Sequence, residues 1–215
     1  MMKQKSFIVI GMGRFGANTA RKLTEMGHEV LAVDKSAARI GVIKDDVLRA
    51  IQADATDERV IAQLGVRNFD GVIVSIGDDV RSSILATVLC REAGARRIVA
   101  KAQDDLHEKL LLKTGADRVV QPERDAGVRL ARSMAADGVL DSFGLSDKYG
   151  INEMLEPEGW VGKSLMDLNL RKKHGLSVIA LRREGEVEVN IDPAMQFVSG
   201  DLVYALGTLE TLERL

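Results

Sequence analysis

The stretch FIVIGMGRFGANTARKL, Phe7 to Leu23, constrains the fold more than any other part of the sequence. An apolar run meets three glycines at the spacing G-x-G-x-x-G, and a helical pattern follows. In a strand–turn–helix of this kind Gly11 takes the tight turn. Gly13 lets a phosphate come up to the backbone, and Gly16 lets the helix pack on the sheet. The unpaired N–H groups at a helix start, with the helix dipole, attract an anion. Asp34 closes the next apolar run, 23 residues beyond Gly11. A carboxylate there accepts hydrogen bonds from ribose hydroxyls and repels a 2′-phosphate. The binding loop is therefore expected to comprise Gly11, Met12, Gly13, Arg14, Phe15 and Gly16, with Asp34 and Lys35 beside it. A glycine turn that serves packing alone is the competing reading, and the agreement of strand, glycines, helix and acid disfavours it.

The rest of the first half repeats the alternation. Apolar runs at Ser6–Ile10, Val30–Val33, Val47–Ala53, Gly71–Ser75, Ile98–Ala100 and Arg118–Val120 read as strands. Helical spacing fills the intervals at Arg14–Met26, Ala37–Asp45, Asp57–Leu64, Asp79–Ala93 and Asp104–Thr114, and Ala126–Ala136 follows. Runs such as FIVI and VIVS show no polar alternation, as expected of strands buried on both faces. The fold class is α/β: a Rossmann-like doubly wound parallel sheet. After VVQPERD the pattern changes, and short extended runs replace the helices. LSVIALRREGEVEVN reads as a hairpin around Glu184–Gly185, and DLVYALG as a last strand with a short helix after it. The expected organisation is a nucleotide-binding domain over 1–140 and a small α+β domain over 141–215, with the boundary near 140–148.

Composition narrows the function. The 215 residues carry a net charge of −2, which makes no electrostatic case for nucleic-acid binding. One cysteine, Cys90, precludes an internal disulfide framework and leaves too few thiols for a structural zinc site. The apolar run after the basic amino terminus is too short for a signal peptide, and no stretch approaches the roughly 18–20 apolar residues of a membrane span. The expectation is a soluble cytoplasmic protein.

Ligands in open α/β sheets bind outside the carboxyl ends of the strands. Besides Asp34, those ends are ADAT (Ala53–Thr56), with Asp54 and Ala55 expected beside the base; SIGDD (Ser75–Asp79), with Ser75, Ile76 and Gly77 expected beside the phosphates; Lys101; and Glu123. Each has a plainer alternative, since strand-end aspartates often cap the next helix and a lysine there can be a solvated loop charge. A dehydrogenase would also need an acid or base near the hydride. His28, His107 and His174 do not fall at strand ends, and Cys90 lies within a helix. A nucleotide pocket without an evident reaction centre favours sensing over catalysis, with a small NAD-dependent oxidoreductase as the alternative.

The segments VIGMGRFGANTARKLTEMGHEVLAVDKS, ADATDE, FDGVIVSIGDD and KTGADRVVQPERDAGVRLA, with GKSLMDLNLRKKHGLSVIALRREGE and GDLVYALG further on, resemble the Ktr/Trk potassium-uptake regulatory proteins, whose domain is called RCK. The likeness covers nearly the whole chain and is nearer the Ktr type than the longer, tandem Trk type. The resemblance implies a non-enzymatic gating subunit at the cytosolic face of a membrane potassium transporter. It implies homodimers assembled into an octameric ring whose shape responds to ATP, ADP or NAD(H) in the Rossmann pocket. In similar proteins an arginine at the position of Arg14 meets the terminal phosphate of ATP. A glutamate at the position of Glu123 helps hold Mg²⁺ or Ca²⁺ by the γ-phosphates. The helix Ala126–Ala136 would cross to the partner subunit, with Asp137–Gly138 as hinge. Cyclic di-AMP would meet Asn169, Arg171 and His174 in the small domain, within a run that holds five cations between Arg171 and Arg183. A solvated cationic face is the other reading of that run.

The residue types agree with the implied phosphate role of Arg14. Guanidinium is always charged and grips phosphate bidentately. A cation at a helix start is mildly unfavourable unless an anion sits beside it. Only a ligand that binds two states with different affinity shifts the balance between them.

Overall fold

Strand burial on both faces governs the first half of the chain. The computed structural model describes residues 3–214; the first two residues of the amino-terminal stretch and the last residue lie outside the described residues. The chain divides into two compact units, 1–123 and 124–215.

In the first unit β1 (Ser6–Ile10), β2 (Glu29–Asp34), β3 (Arg49–Gln52), β4 (Gly71–Val74), β5 (Ile98–Lys101) and β6 (Arg118–Val120) alternate with helices. The helices are α1 (Arg14–Glu25), α2 (Ala37–Ile43), α3 (Glu58–Leu64), α4 (Val80–Glu92) and α5 (Asp105–Lys113). The strand order is β3-β2-β1-β4-β5-β6, and every pair is parallel. Successive side chains of a strand point to opposite faces. Ile8 and Ile10 of β1 accordingly enter one core with Val33, Val74, Ile98 and Leu111. Val9 enters the other with Ala20, Ala32 and Ile43. Winding outward from β1 in both directions puts a topological switch point between the ends of β1 and β4.

Two elements differ from expectation. The third strand runs over Arg49–Gln52 rather than 47–53. It is an edge strand with β2 as its partner; Val47 is already turned into the core beside α2, and Leu48 is exposed. The helix expected from Ala126 is α6, Pro122–Ala135. Proline suits the first helical position, where its missing N–H costs nothing. Glu123 is therefore in a helical first turn and not on the end of β6.

The second unit is an antiparallel sheet of β7 (Val139–Gly144), β8 (Tyr149–Leu155), β9 (Ser177–Arg183), β10 (Glu186–Glu188) and β11 (Leu202–Thr208), ordered β10-β9-β11-β8-β7. The central strands β8 and β11 alternate buried and partly exposed residues, as a one-sided sheet requires. Their inner face packs around Trp160, Phe197, Leu181 and Val203, with Leu176 and Leu212. The β9–β10 hairpin turns at Glu184–Gly185, both with positive φ (52° and 90°), as a two-residue type I′ connection demands. The short helices α7 (Leu165–Leu168), α8 (Leu170–His174) and α9 (Leu209–Leu212) complete the unit. Because β7 pairs with β8, the small sheet begins ahead of the 140–148 interval.

Candidate functional site

The glycine loop is held rigidly by its neighbours. Gly11 has φ +93°, and its N–H donates to the Val33 carbonyl at 2.8 Å. The Ser75 hydroxyl, at the end of β4, donates to the Gly11 carbonyl and lies 3.1 Å from that of Ile10. A Cβ at Gly16 would stand 2.0 Å from the Gly11 carbonyl oxygen and 2.2 Å from Ser75 Oγ, so the first turn of α1 packs directly on the loop. A Cβ at Gly13 would meet nothing within 4 Å, which leaves that side of the backbone open to a ligand. No side chain caps α1 and no acid stands in its first turn, so its N-terminal dipole is unmatched.

A cleft of about 690 Å³ opens over this loop. Every residue expected in the nucleotide site lines it except Gly16, whose part is the close packing just described. Asp34 is buried at the end of β2 and accepts from the Met12 N–H at 2.6 Å and the Ser36 N–H at 2.8 Å. The Met12 contact ties the loop to the end of β2. Asp54 also lines the cleft, and its carboxylate folds a local turn by accepting from the Thr56 N–H (2.9 Å) and hydroxyl (2.7 Å). The Thr56 backbone bond, foremost, holds its pKa below the ordinary value. Asp79, beyond β4, caps α4 by accepting from Ser82, whose hydroxyl lowers its pKa.

Lys101 and Arg14 stand on the opposite half from Lys35 and Arg39. Lys101 ends β5, is only 14% exposed, and lies 2.6 Å from Glu123, which is 70% exposed. The Lys101 hydrogen bond, foremost, holds the Glu123 carboxyl below its ordinary range, and the charges of Lys101 and Arg14 act in the same direction. Arg14 opens α1 and is exposed at the rim. Lys101 Nζ would lie 3.1 Å from a Cβ at Gly77, so glycine there leaves the ammonium room. The structure thus brings Arg14, Lys101, Gly77 and Glu123 together beside a helix N-terminus, an arrangement suited to a chain of phosphates. Glu123 suits a divalent cation as one ligand among several. Among the described residues no group of three or more His, Cys, Asp or Glu is placed to hold one.

Sequence reasoning missed Arg39 and Ser82, which also line the cleft, as does Thr56 at the end of the ADAT stretch. Arg39 lies in the first turn of α2, five residues past Asp34, a spacing that would have shown it. None of the three histidines lines the cleft, and neither does Cys90. His107 is buried on α5, and His28 packs on Phe7 with ring centroids 5.6 Å apart.

In the second unit Asn169 sits between α7 and α8 with φ +48°, Arg171 Nε donates to Ser177 Oγ at 3.3 Å, and His174 ends α8. All three lie within one short turn of chain. Cations there also match the negative end of the α8 dipole. No helix among the described residues is long and apolar enough to cross a membrane.

The chain matches the TrkA-N domain over residues 7–122 and the TrkA-C domain over 153–215. The Ktr system potassium uptake protein A of Bacillus subtilis is 38% identical over 213 residues, spanning 99% of this chain and 96% of that protein. The RCK domain of GsuK superposes with a TM-score of 0.70 at 21% identity, over 100% of this chain and 48% of that one. The NAD(P)-binding domain of an exopolyphosphatase-related protein from Archaeoglobus fulgidus superposes with a TM-score of 0.54 at 25% identity, over 61% of this chain and 98% of that one.

Proposed function

This chain belongs to the Ktr system potassium uptake proteins and is a regulatory subunit of potassium uptake; from that premise we propose that its cleft is a nucleotide switch. ATP, ADP or NAD(H) would lie with the ribose at Asp34, the base beside Asp54 and Ala55, and the phosphates over Gly11–Gly16, toward Ser75–Gly77, Lys101 and Arg14. One observation carries this reading: a buried ribose-type carboxylate and a cationic, uncapped helix start face the same 690 Å³ cleft. The exopolyphosphatase-related relative, with its NAD(P)-binding domain of similar fold, supports a dinucleotide as one occupant.

Arg14 is the discriminating group. A ligand with one more phosphate gains contacts at Arg14 that a diphosphate lacks, and such differential contacts typically amount to about 1–3 kcal/mol of coupling. That difference would shift an assembly of these subunits between two shapes. The assembly is a ring, built as an octamer from homodimers in which α6 crosses to the neighbouring copy. The ring works on a membrane potassium transporter subunit from the cytoplasm, peripheral to the inner face of the plasma membrane. Glu123 would join Mg²⁺ or Ca²⁺ to the phosphates, and Asn169, Arg171 and His174 would receive cyclic di-AMP. If Glu123 holds the cation, Glu123→Gln weakens the divalent dependence of ATP affinity; a dependence unchanged from wild type removes the metal role.

No observation favours the oxidoreductase alternative. The test of the main reading is titration with ATP, ADP and NADH while light scattering follows the size of the assembly. ATP and ADP are expected to give different shapes. Identical binding and identical size with both, together with NAD turnover on some substrate, would overturn it.

A further inference from the structure

Arg39 has no part in the reading above, yet the local backbone is built to place it. The Ser36 N–H donates to Asp34 Oδ1 at 2.8 Å, and the Ser36 hydroxyl accepts from the Arg39 N–H at 3.4 Å. The Arg39 guanidinium then returns to 3.5 Å from Asp34 Oδ2, while its other arm lies 3.7 Å from Asp78 Oδ2. Asp34 ends β2 and Asp78 follows β4, with β1 and its glycine loop between those strands. Strands two places apart are separated by about 10 Å. The side chain therefore lies between the Asp34 and Asp78 carboxylates, and all three residues line the cleft. It reaches them from the β2 side, the half that holds Asp34, and not from the half that holds Lys101 and Glu123.

The Arg39–Asp78 pair is 48% and 93% exposed and contributes little to folding stability; toward Asp34, which is 4% exposed, Arg39 also offsets a buried charge. A guanidinium tethered at two carboxylates is nonetheless restricted, and its planar face stacks on a purine in a way an ammonium cannot reproduce.

We propose that Arg39, held between Asp34 and Asp78, is a nucleoside-recognition residue that covers the base and ribose of a bound adenine nucleotide, whatever the length of its phosphate chain. The proposal rests on the nucleotide reading of the cleft and assigns Arg39 the complement of the phosphate role of Arg14.

The test measures the dissociation constants of AMP, ADP and ATP at one ionic strength for the wild-type chain, Arg39→Ala, Arg39→Lys and Asp78→Ala. Arg39→Ala is expected to weaken all three by the same factor, about tenfold for a desolvated cation–π contact. Arg39→Lys should recover little of this, and Asp78→Ala should lose less because Asp34 still holds the guanidinium. Unchanged affinities in Arg39→Ala would reduce the contact to a surface ion pair. A loss that grows with the number of phosphates would make Arg39 a phosphate ligand, and full rescue by lysine would remove the stacking; each overturns the proposal. A wild-type chain that binds none of the three overturns the nucleotide reading itself, an outcome distinct from these because they all require wild-type binding.

Discussion

Replacing Gly16 by alanine tests whether the glycine loop is a packed device or a loose turn. The new methyl carbon would lie 2.0 Å from the Gly11 carbonyl oxygen and 2.2 Å from Ser75 Oγ, and the first of these is backbone. Relief requires α1 to move off the loop. Overpacking against a fixed neighbour costs about 1–3 kcal/mol, and displacing Ser75 from the Gly11 carbonyl removes a buried hydrogen bond of about 1 kcal/mol. Alanine recovers up to about 1 kcal/mol of helix propensity. The net cost is then about 1–3 kcal/mol, which for a unit of 123 residues lowers the melting temperature by roughly 4–12 °C. Thermal unfolding followed by circular dichroism reads the shift. Adding Ser75→Ala should recover little, because the carbonyl clash remains. A Gly16→Ala chain within about 0.5 kcal/mol of wild type, the range of an innocuous surface change, would refute the close-packing argument.

Two further outcomes follow from buried groups. Burial pushes the Cys90 thiol up to about 12, so a thiol reagent at neutral pH should label it at the rate of unfolding and not before; fast labelling of the native chain would contradict its burial. Asp201 is fully buried and accepts from Arg183 Nε (2.8 Å), Arg183 Nη2 (2.7 Å) and the Val198 N–H (2.9 Å). The Arg183 hydrogen bonds, foremost, hold its carboxyl below the ordinary 3.8. A carboxylate depressed in the folded state stabilises above its unfolded pKa, and the contribution fades as pH falls through the folded value. Asp201→Asn should therefore destabilise the second unit at neutral pH by the lower part of roughly 3–5 kcal/mol, because Arg183 is partly solvated, and its melting temperature should fall accordingly. As pH falls through the depressed folded-state pKa of Asp201 the two chains should converge, and a difference that stayed constant throughout the acid range would count against the ion pair.

The sequence showed the switch-point sheet clearly because its signals are local. FIVI and VIVS lack polar alternation, and Gly11, Gly13, Gly16 and Asp34 stand at offsets that only a strand–turn–helix uses. The Glu184–Gly185 turn was equally plain, since both central residues need positive φ. Where contacts between distant segments decide, legibility ends. The third strand is shorter than its apolar run because an edge strand with β2 beside it leaves Val47 free to turn into the core. Asp54 reads as a strand-end ligand, yet its carboxylate is also engaged by Thr56. Lys101 and Glu123 each stand out in the sequence, but their 2.6 Å pairing depends on α6 starting at Pro122. Arg39 was passed over although it stands five residues past Asp34; its second partner, Asp78, lies beyond β4 and is brought to it only by the fold.

The measurement that bears most directly on the switch is the ratio of ATP to ADP affinity in Arg14→Ala against wild type. If the guanidinium meets the terminal phosphate, the variant loses preference for ATP by about five- to a hundredfold while its ADP affinity hardly changes, and the ATP-specific assembly shape disappears. Equal weakening of both nucleotides, or a ratio that stays at the wild-type value, contradicts the account.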